Sequence, residues 1–100
     1  MSMIQTGKLQ LSSANLTEVA GGNTSTFTQV IFPTPFPDDS TVIVLPFVQT
    51  FHGPDTPGLR IADVTTVGFK IRINELVGTG RALSDGPHTT ETVGWIASTV

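Results

Sequence analysis

Apolar and polar residues alternate with a period of two along several short segments of this chain, and glycine and proline separate those segments. Residues 5–11 show the pattern plainly, with Leu9 and Leu11 on one side of an extended chain and Lys8 and Gln10 on the other. Successive side chains of a β-strand point to opposite faces of its sheet, whereas no window of a dozen residues here repeats apolar positions every 3.6 residues. The pattern predicts an all-β protein.

Six segments are predicted to be strands. They span residues 5–11, 26–32, 41–50, 59–65, 67–76 and 91–99. Turn-forming residues recur at intervals of about ten residues between them, a spacing typical of an antiparallel β-sandwich. A chain of 100 residues is long enough for one such unit, so residues 1–100 are expected to form a single domain.

The segment from Thr41 to Thr50 is apolar almost throughout, which predicts a central strand that is buried on both sides. Pro46 interrupts this segment. Because proline has no N–H group to give to a sheet, it indicates a bulge or a sheet edge at that point. The two segments that follow, 59–65 and 67–76, are expected to pair with each other.

Charge is sparse: 13% of the residues are charged, and the formal net charge is −3. No basic stripe is present, so nucleic-acid binding is not expected. No apolar run reaches the roughly 18 residues of a membrane span, and the first residues lack the pattern of a signal peptide. A thinly charged surface favours contact with partner subunits, which indicates a homo-oligomer.

The residues that could carry chemistry are few and scattered. There is no cysteine and there are two histidines, and neither Pro37–Asp39 nor His52–Asp55 has the spacing of a metal-binding loop. No metal or other cofactor is therefore expected. Glu75 and Glu91 could form a carboxylate pair of the kind used by glycosidases, but nothing in the sequence brings them together, so enzymatic activity is not expected.

Arg60 stands out because it lies inside a predicted strand, between Leu59 and Ile61. Strand alternation places its side chain on the face of Ala62 and Val64. One interpretation is a buried or interfacial arginine that pairs with a carboxylate, such as Asp63 of a neighbouring chain, Glu75 or Glu91. The other is a five-donor fork that binds hydroxyl or carboxylate oxygens of a ligand. The residues alone leave both open.

Two further side chains are assigned by their neighbours. Arg72 alternates with Ile71 and Ile73, which predicts a position facing solvent or at a rim. Trp95 lies in the apolar stretch VGWIA, which favours an anchor in the core or between subunits over an exposed binding platform.

Several stretches together resemble the H-type lectin domain, the family of snail agglutinins and of the C-terminal domain of discoidins. They are QTGKLQL near the start, VIFPTPFPDDSTVIVLPFVQT in the middle, GLRIADVTTVGFKIRI after it and VGWIAS near the end. Each stretch is weak alone, but the family has them in this order and spacing, and they cover almost the whole chain.

The resemblance implies a six-stranded antiparallel β-sandwich that assembles into trimers, and sometimes hexamers. It also implies binding of galactose or N-acetylgalactosamine in clefts between protomers, without a metal at the sugar. Arg60 occupies the position of a sugar-binding arginine of the family. Gly21, Gly22 and Asn23 lie in the loop that supplies further contacts.

The last part of the expected site departs from the family. Its aromatic and histidine positions after the GFK strand fall on Leu76 and Val77. The loop from Gly78 to Thr90 is longer than in the snail proteins, and it carries His88 as a further candidate ligand.

Similar domains form parts of bacteriophage tail fibres and other virion appendages. The resemblance therefore leaves two functions open. The first is a multivalent lectin that binds glycans and serves cell adhesion, without catalysis. The second is a trimeric structural or receptor-binding module of a virion. Either function places the protein outside a cell or on a virion surface.

Overall fold

A computed structural model describes residues 3–15, 21–76 and 88–100 of the chain, except for the side chains of residues 75 and 76. The described residues form antiparallel β-strands and no helix, which confirms the prediction of an all-β protein. The strands are β1 (Ile4–Ser12), β2 (Thr28–Ile31), β3 (Val42–Val48), β4 (Thr56–Ala62), β5 (Gly68–Leu76) and β6 (Thr90–Thr99). No helix in these described ranges is long and apolar enough to span a membrane.

The strands form two three-stranded sheets, with the orders β1-β6-β3 and β2-β5-β4. The expected pairing of the fourth and fifth strands is confirmed, with Leu59 opposite Ile73 and Ile61 opposite Ile71. The prediction that residues 41–50 form a central strand is wrong, because β3 pairs with β6 alone and lies at a sheet edge. Pro46 lies within this edge strand, as one of the two alternatives for it predicted.

A single apolar core lies between the two sheets, in a sandwich-like arrangement. Its buried members come from both sheets and from the loop after β2; they are Leu11, Phe32, Phe36, Phe69, Ile71, Ile73, Val93, Trp95 and Ala97. Phe69 of one sheet meets Trp95 of the other edge to face, with ring centroids 5.4 Å apart. Trp95 is 5% exposed, which confirms its predicted place in the core.

The core face of β1 shows how the sequence makes room for the large indole ring. Gly7 is opposite Trp95 in the strand pairing, and a Cβ atom at Gly7 would overlap the ring. Leu9 and Leu11 point to the same side and pack against the core, while Lys8 and Gln10 point to solvent. The alternation predicted for this strand is therefore confirmed.

Candidate functional site

Arg60 lies on the outer face of the β2-β5-β4 sheet. Its neighbours Leu59 and Ile61 pack against the core, so the strand geometry turns Arg60 to the opposite side, and its side chain is exposed. Among the described residues the guanidinium group has no ion pair or hydrogen bond. Within one chain Arg60 is therefore not buried, and the two interpretations that remain are a pair with a neighbouring chain and a ligand-binding fork.

Arg72 lies directly opposite Arg60 on the neighbouring strand β5, on the same outer face. It is only 4% exposed and engages other groups, so the prediction of a solvent-facing or rim position is wrong. Alternation along β5 turns Arg72 away from the core, but alternation does not show which groups a side chain on that outer face engages. Two arginines are therefore adjacent, one covered and one open to solvent.

Lys70 lies two residues before Arg72 on β5 and points to the same outer face, which we call the basic face. It lies opposite Ala62, and its ammonium group is 3.1 Å from the Asp63 carboxylate and 3.4 Å from the Thr24 hydroxyl. Asp63 has a positive φ of 49°, so the chain leaves its extended path there and the predicted alternation ends with Ala62. The face thus carries Arg60, Lys70 and Arg72, which are three of the five Lys and Arg residues of the chain.

The predicted loop residues Gly21, Gly22 and Asn23 form an exposed turn just before Thr24, and the Thr24 contact with Lys70 brings this turn to the basic face. Gly22 has a φ of 87°, and a Cβ atom at Gly21 or Gly22 would meet nothing within 4 Å. The Asn23 side-chain oxygen accepts a hydrogen bond from the Ser25 amide at 3.1 Å. The turn is therefore fixed locally and leaves its backbone open to a ligand.

His88, the remaining predicted ligand, lies elsewhere in the chain. It is exposed, and its Nδ1 atom is 2.9 Å from the carbonyl oxygen of Ser13, beside the end of β1 in the other sheet. Within one chain the structure thus does not bring His88 to the outer face that carries Arg60. Leu76 ends β5, while Val77 and most of the loop expected from Gly78 to Thr90 lie outside the described residues.

A second polar centre, which the sequence analysis had not singled out as a site, surrounds Glu91 at the start of β6. Glu91 is 5% exposed, and its carboxylate accepts hydrogen bonds from the Thr50 hydroxyl at 2.6 Å and the Thr89 hydroxyl at 3.1 Å. The backbone amides of His52 and Gly53 donate to it at 3.1 and 2.9 Å. These bonds connect the loop after β3 to the first residues of β6.

The same bonds set the charge of Glu91. The hydrogen bond from Thr50 is the largest cause that lowers the pKa of Glu91 from its usual 4.5 to about 2, with the amides of Gly53 and His52 and the Thr89 hydroxyl acting in the same direction. Burial opposes them and is outweighed. Glu91 is therefore ionised at neutral pH and accepts hydrogen bonds, so it is poorly suited to donate a proton as a general acid.

A shallow cleft of about 300 Å³ opens beside this centre. It is lined by Thr50, Phe51, Gly53, Pro54, Asp55, Thr56, Pro57 and Glu91. The Phe51 side chain is 89% exposed, whereas one carboxylate oxygen of Asp55 is buried without a hydrogen-bond partner in the described structure. The buried oxygen is out of reach of a ligand, so the cleft offers the Phe51 ring as its main accessible feature.

Sequence periodicity contained a signal for Glu91 but none for its partners. Glu91 shares the parity of Val93 and Trp95, so alternation alone places it on the core face of β6. Apart from Thr89, its donors lie about 40 positions earlier in the chain, and only the fold brings them near. In the described part of the chain, no three His, Cys, Asp or Glu side chains gather into a group that could hold a metal ion.

Comparisons of the chain with models of protein families, with curated proteins and with solved structures found no match.

Proposed function

We propose that this domain is a non-catalytic carbohydrate-binding module, and that Arg60 supplies the main hydrogen-bond donors to the sugar. The observation that carries the proposal is the free, exposed guanidinium group of Arg60 on a regular strand. A strand fixes the position of its side chains more firmly than a loop does, and it presents this fork of five donors to solvent at a defined place. Sugar hydroxyls are suitable acceptors for such a fork.

The surroundings of Arg60 support the same function. Arg72 lies opposite it, and like charges directly across a strand pair destabilise a sheet, so this arrangement has a cost that a ligand acceptor would relieve. The Gly21–Asn23 turn lies near the same face, and its glycines allow a ligand to approach the backbone closely. In the proposal, Arg60 holds the sugar and the turn adds backbone contacts.

The resemblance to H-type lectins supports galactose or N-acetylgalactosamine as the first sugars to examine. In that family the binding cleft is completed by a neighbouring protomer. His88, which lies apart from Arg60 within one chain, is then a contribution from the second protomer. Three or six weak sites on one assembly would bind a glycan-coated surface far more tightly than one site, because the later contacts form within the same complex.

The proposal is tested on a glycan array with the intact wild-type protein and three variants. We expect Arg60→Ala to weaken binding on the order of ten- to a hundredfold, because hydrogen bonds from a charged donor are lost. Arg60→Lys should recover part of the signal, and Lys8→Ala, which removes an exposed cation from the other sheet, should leave it unchanged. No binding by the wild type, or equal binding by Arg60→Ala, would overturn the proposal.

The second candidate is a trimeric structural module of a bacteriophage tail fibre or another virion appendage. It is favoured by a group of exposed apolar side chains on the outer face of the β1-β6-β3 sheet, which suits assembly more than sugar binding. In this case Arg60 makes an ion pair with a neighbouring chain. The two candidates differ in one outcome: loss of assembly in Arg60→Ala supports the structural module, and an intact assembly that has lost sugar binding supports the lectin.

A further inference from the structure

Five large apolar side chains are exposed together on the outer face of the β1-β6-β3 sheet, and we call them the apolar face. Their exposed fractions are 68% for Ile4, 49% for Ile43, 52% for Leu45, 58% for Phe47 and 42% for Ile96. Strand register makes them neighbours. Ile96 lies directly beside Leu45, and Ile4 and Ile43 lie on either side of Ser98. In a single chain these five side chains therefore remain exposed to solvent.

The edge strand β3 carries most of this face. Ile43, Leu45 and Phe47 point outward, while Val42, Val44 and Val48 point to the core. No residue from Val42 to Val48 is charged, although edge strands of monomeric proteins usually carry charges that prevent association. The composition of β3 is that of a strand buried on both sides, and in a single chain one of its sides is open.

Association by adding a further strand to the edge of β3 is disfavoured by Pro46. The Gln49 amide donates to the Thr92 carbonyl of β6, and backbone groups alternate along a strand, so the nitrogen of Pro46 faces the open edge. There it costs no bond within the sheet and offers no donor to an incoming strand. A partner is therefore expected to pack on the face of the sheet and not to extend it.

We propose that the apolar face is the surface through which copies of this chain associate. Its exposed parts amount to on the order of 500 Å² of apolar surface, which approaches the roughly 800 Å² that each partner contributes to a stable interface. The face includes one charged neighbour, Lys8 on the far strand, so two copies meet without strong repulsion. A second copy of the chain is present in every solution of the protein, so it is the first partner to consider for this face.

This inference concerns the sheet opposite to the one that carries Arg60, and it does not depend on whether the domain binds sugar. Sugar binding is tested by Arg60→Ala, which lies on the opposite sheet. An assembled protein that binds no glycan would leave the inference intact and remove the lectin proposal. A glycan-binding monomer would do the reverse.

The test is sedimentation velocity of the full chain over a range of concentrations, with Leu45→Asp as the variant at the centre of the face. Ile31→Asp is the matched control, because Ile31 is 64% exposed but lies on β2 of the other sheet. We expect wild type and Ile31→Asp to sediment as the same oligomer. Leu45→Asp should weaken association on the order of a hundredfold or more, because it would place an unpaired charge in an apolar interface.

Side-chain footprinting of the wild type at low and high concentration provides a second measurement in case Leu45→Asp fails to fold by circular dichroism. Ile43, Leu45 and Phe47 should become protected as the concentration rises, while Ile31 should not. A monomeric wild type at high concentration overturns the inference. Equal sedimentation of Leu45→Asp and wild type, or protection elsewhere without protection of these three residues, overturns it as well.

Discussion

The two sheets share one core but present different surfaces to solvent. On the outer face of the β1-β6-β3 sheet, the strand β3 exposes Ile43, Leu45 and Phe47. The outer face of the β2-β5-β4 sheet carries Arg60 and Lys70 instead. Their inner faces both contribute to the apolar core and meet at the contact of Phe69 with Trp95. The comparison teaches that the inner faces hold the fold together, while the two outer faces differ enough to carry the two separate roles proposed for them, assembly and ligand binding.

The largest expected effect separates the inner from the outer side of one strand. Trp95→Ala should lower the free energy of unfolding by about 3–5 kcal/mol, because it opens a cavity between Phe32 and Phe69. Ile96→Ala, one position along β6, should cost less than about 1 kcal/mol because that side chain is already 42% exposed. Urea unfolding of dilute protein measures both, and similar losses would refute the assigned faces.

A smaller loss is expected at the covered arginine of the basic face. Arg72→Ala should lower the free energy of unfolding by roughly 1–3 kcal/mol, because Arg72 is buried and the groups it engages would lose their partner. Arg72→Lys keeps the charge without the planar fork and should recover part of the loss. Thermal unfolding followed by circular dichroism provides the measurement, and an unchanged melting temperature in Arg72→Ala would contradict its burial.

The Glu91 centre should make stability depend on acid pH. Because folding lowers the pKa of Glu91 to about 2, the folded form is stabilised above the unfolded pKa near 4.5, and this stabilisation is lost as the pH falls from 4.5 towards 2. Glu91→Gln should be less stable than wild type at pH 7 and should show a flatter profile between these two values. Melting temperatures across pH 2–7 measure this, and parallel profiles would exclude Glu91 as the cause.

The smallest effect on stability is expected at the exposed arginine. Arg60→Ala should change the free energy of unfolding by less than about 0.5 kcal/mol. Any measurable change should be a small increase in stability, because the substitution removes a like charge opposite Arg72. Denaturant unfolding beside Arg72→Ala gives the comparison. A large loss would show that Arg60 serves the fold, which the proposed ligand role does not require.

The fold could be predicted from the sequence to a useful extent, for reasons visible in single residues. Alternation put Leu9 and Leu11 on one side of their strand, glycine and proline separated the strand segments, and the apolar surroundings of Trp95 favoured an anchor in the core or between subunits. These features are local, because a strand fixes the side of each residue by its position alone.

The errors arose where burial depends on distant parts of the chain. An apolar run such as Val42–Val48 is typical of a central strand but also occurs at a sheet edge with one exposed side. The sequence therefore did not show that β3 lies at the edge of its sheet. The burial of Arg72 goes with the groups that it engages in the fold, which alternation along β5 does not show. Apart from Thr89, the donors to Glu91 come from a loop about 40 residues away, and no spacing in the sequence connects them.

At the candidate site, the sequence predicted the side of the strand on which one residue lies. Alternation separated Arg60 from Leu59 and Ile61, and its exposure on the outer face agrees with that separation. The sequence did not show that His88 lies beside Ser13 in the other sheet, apart from Arg60. The adjacency of Arg60 and Arg72 also required the register of β4 and β5, which a single strand does not specify.

The central claim is that Arg60 is a ligand-binding residue whose side chain the fold does not need. Its most direct test is a calorimetric titration of the best glycan from the array into wild type and Arg60→Ala at equal oligomer concentration. The account predicts measurable binding by the wild type and a loss on the order of ten- to a hundredfold in Arg60→Ala, with the sedimentation coefficient unchanged. Equal affinity of the two proteins, or a variant that loses affinity only because it no longer assembles, would contradict it.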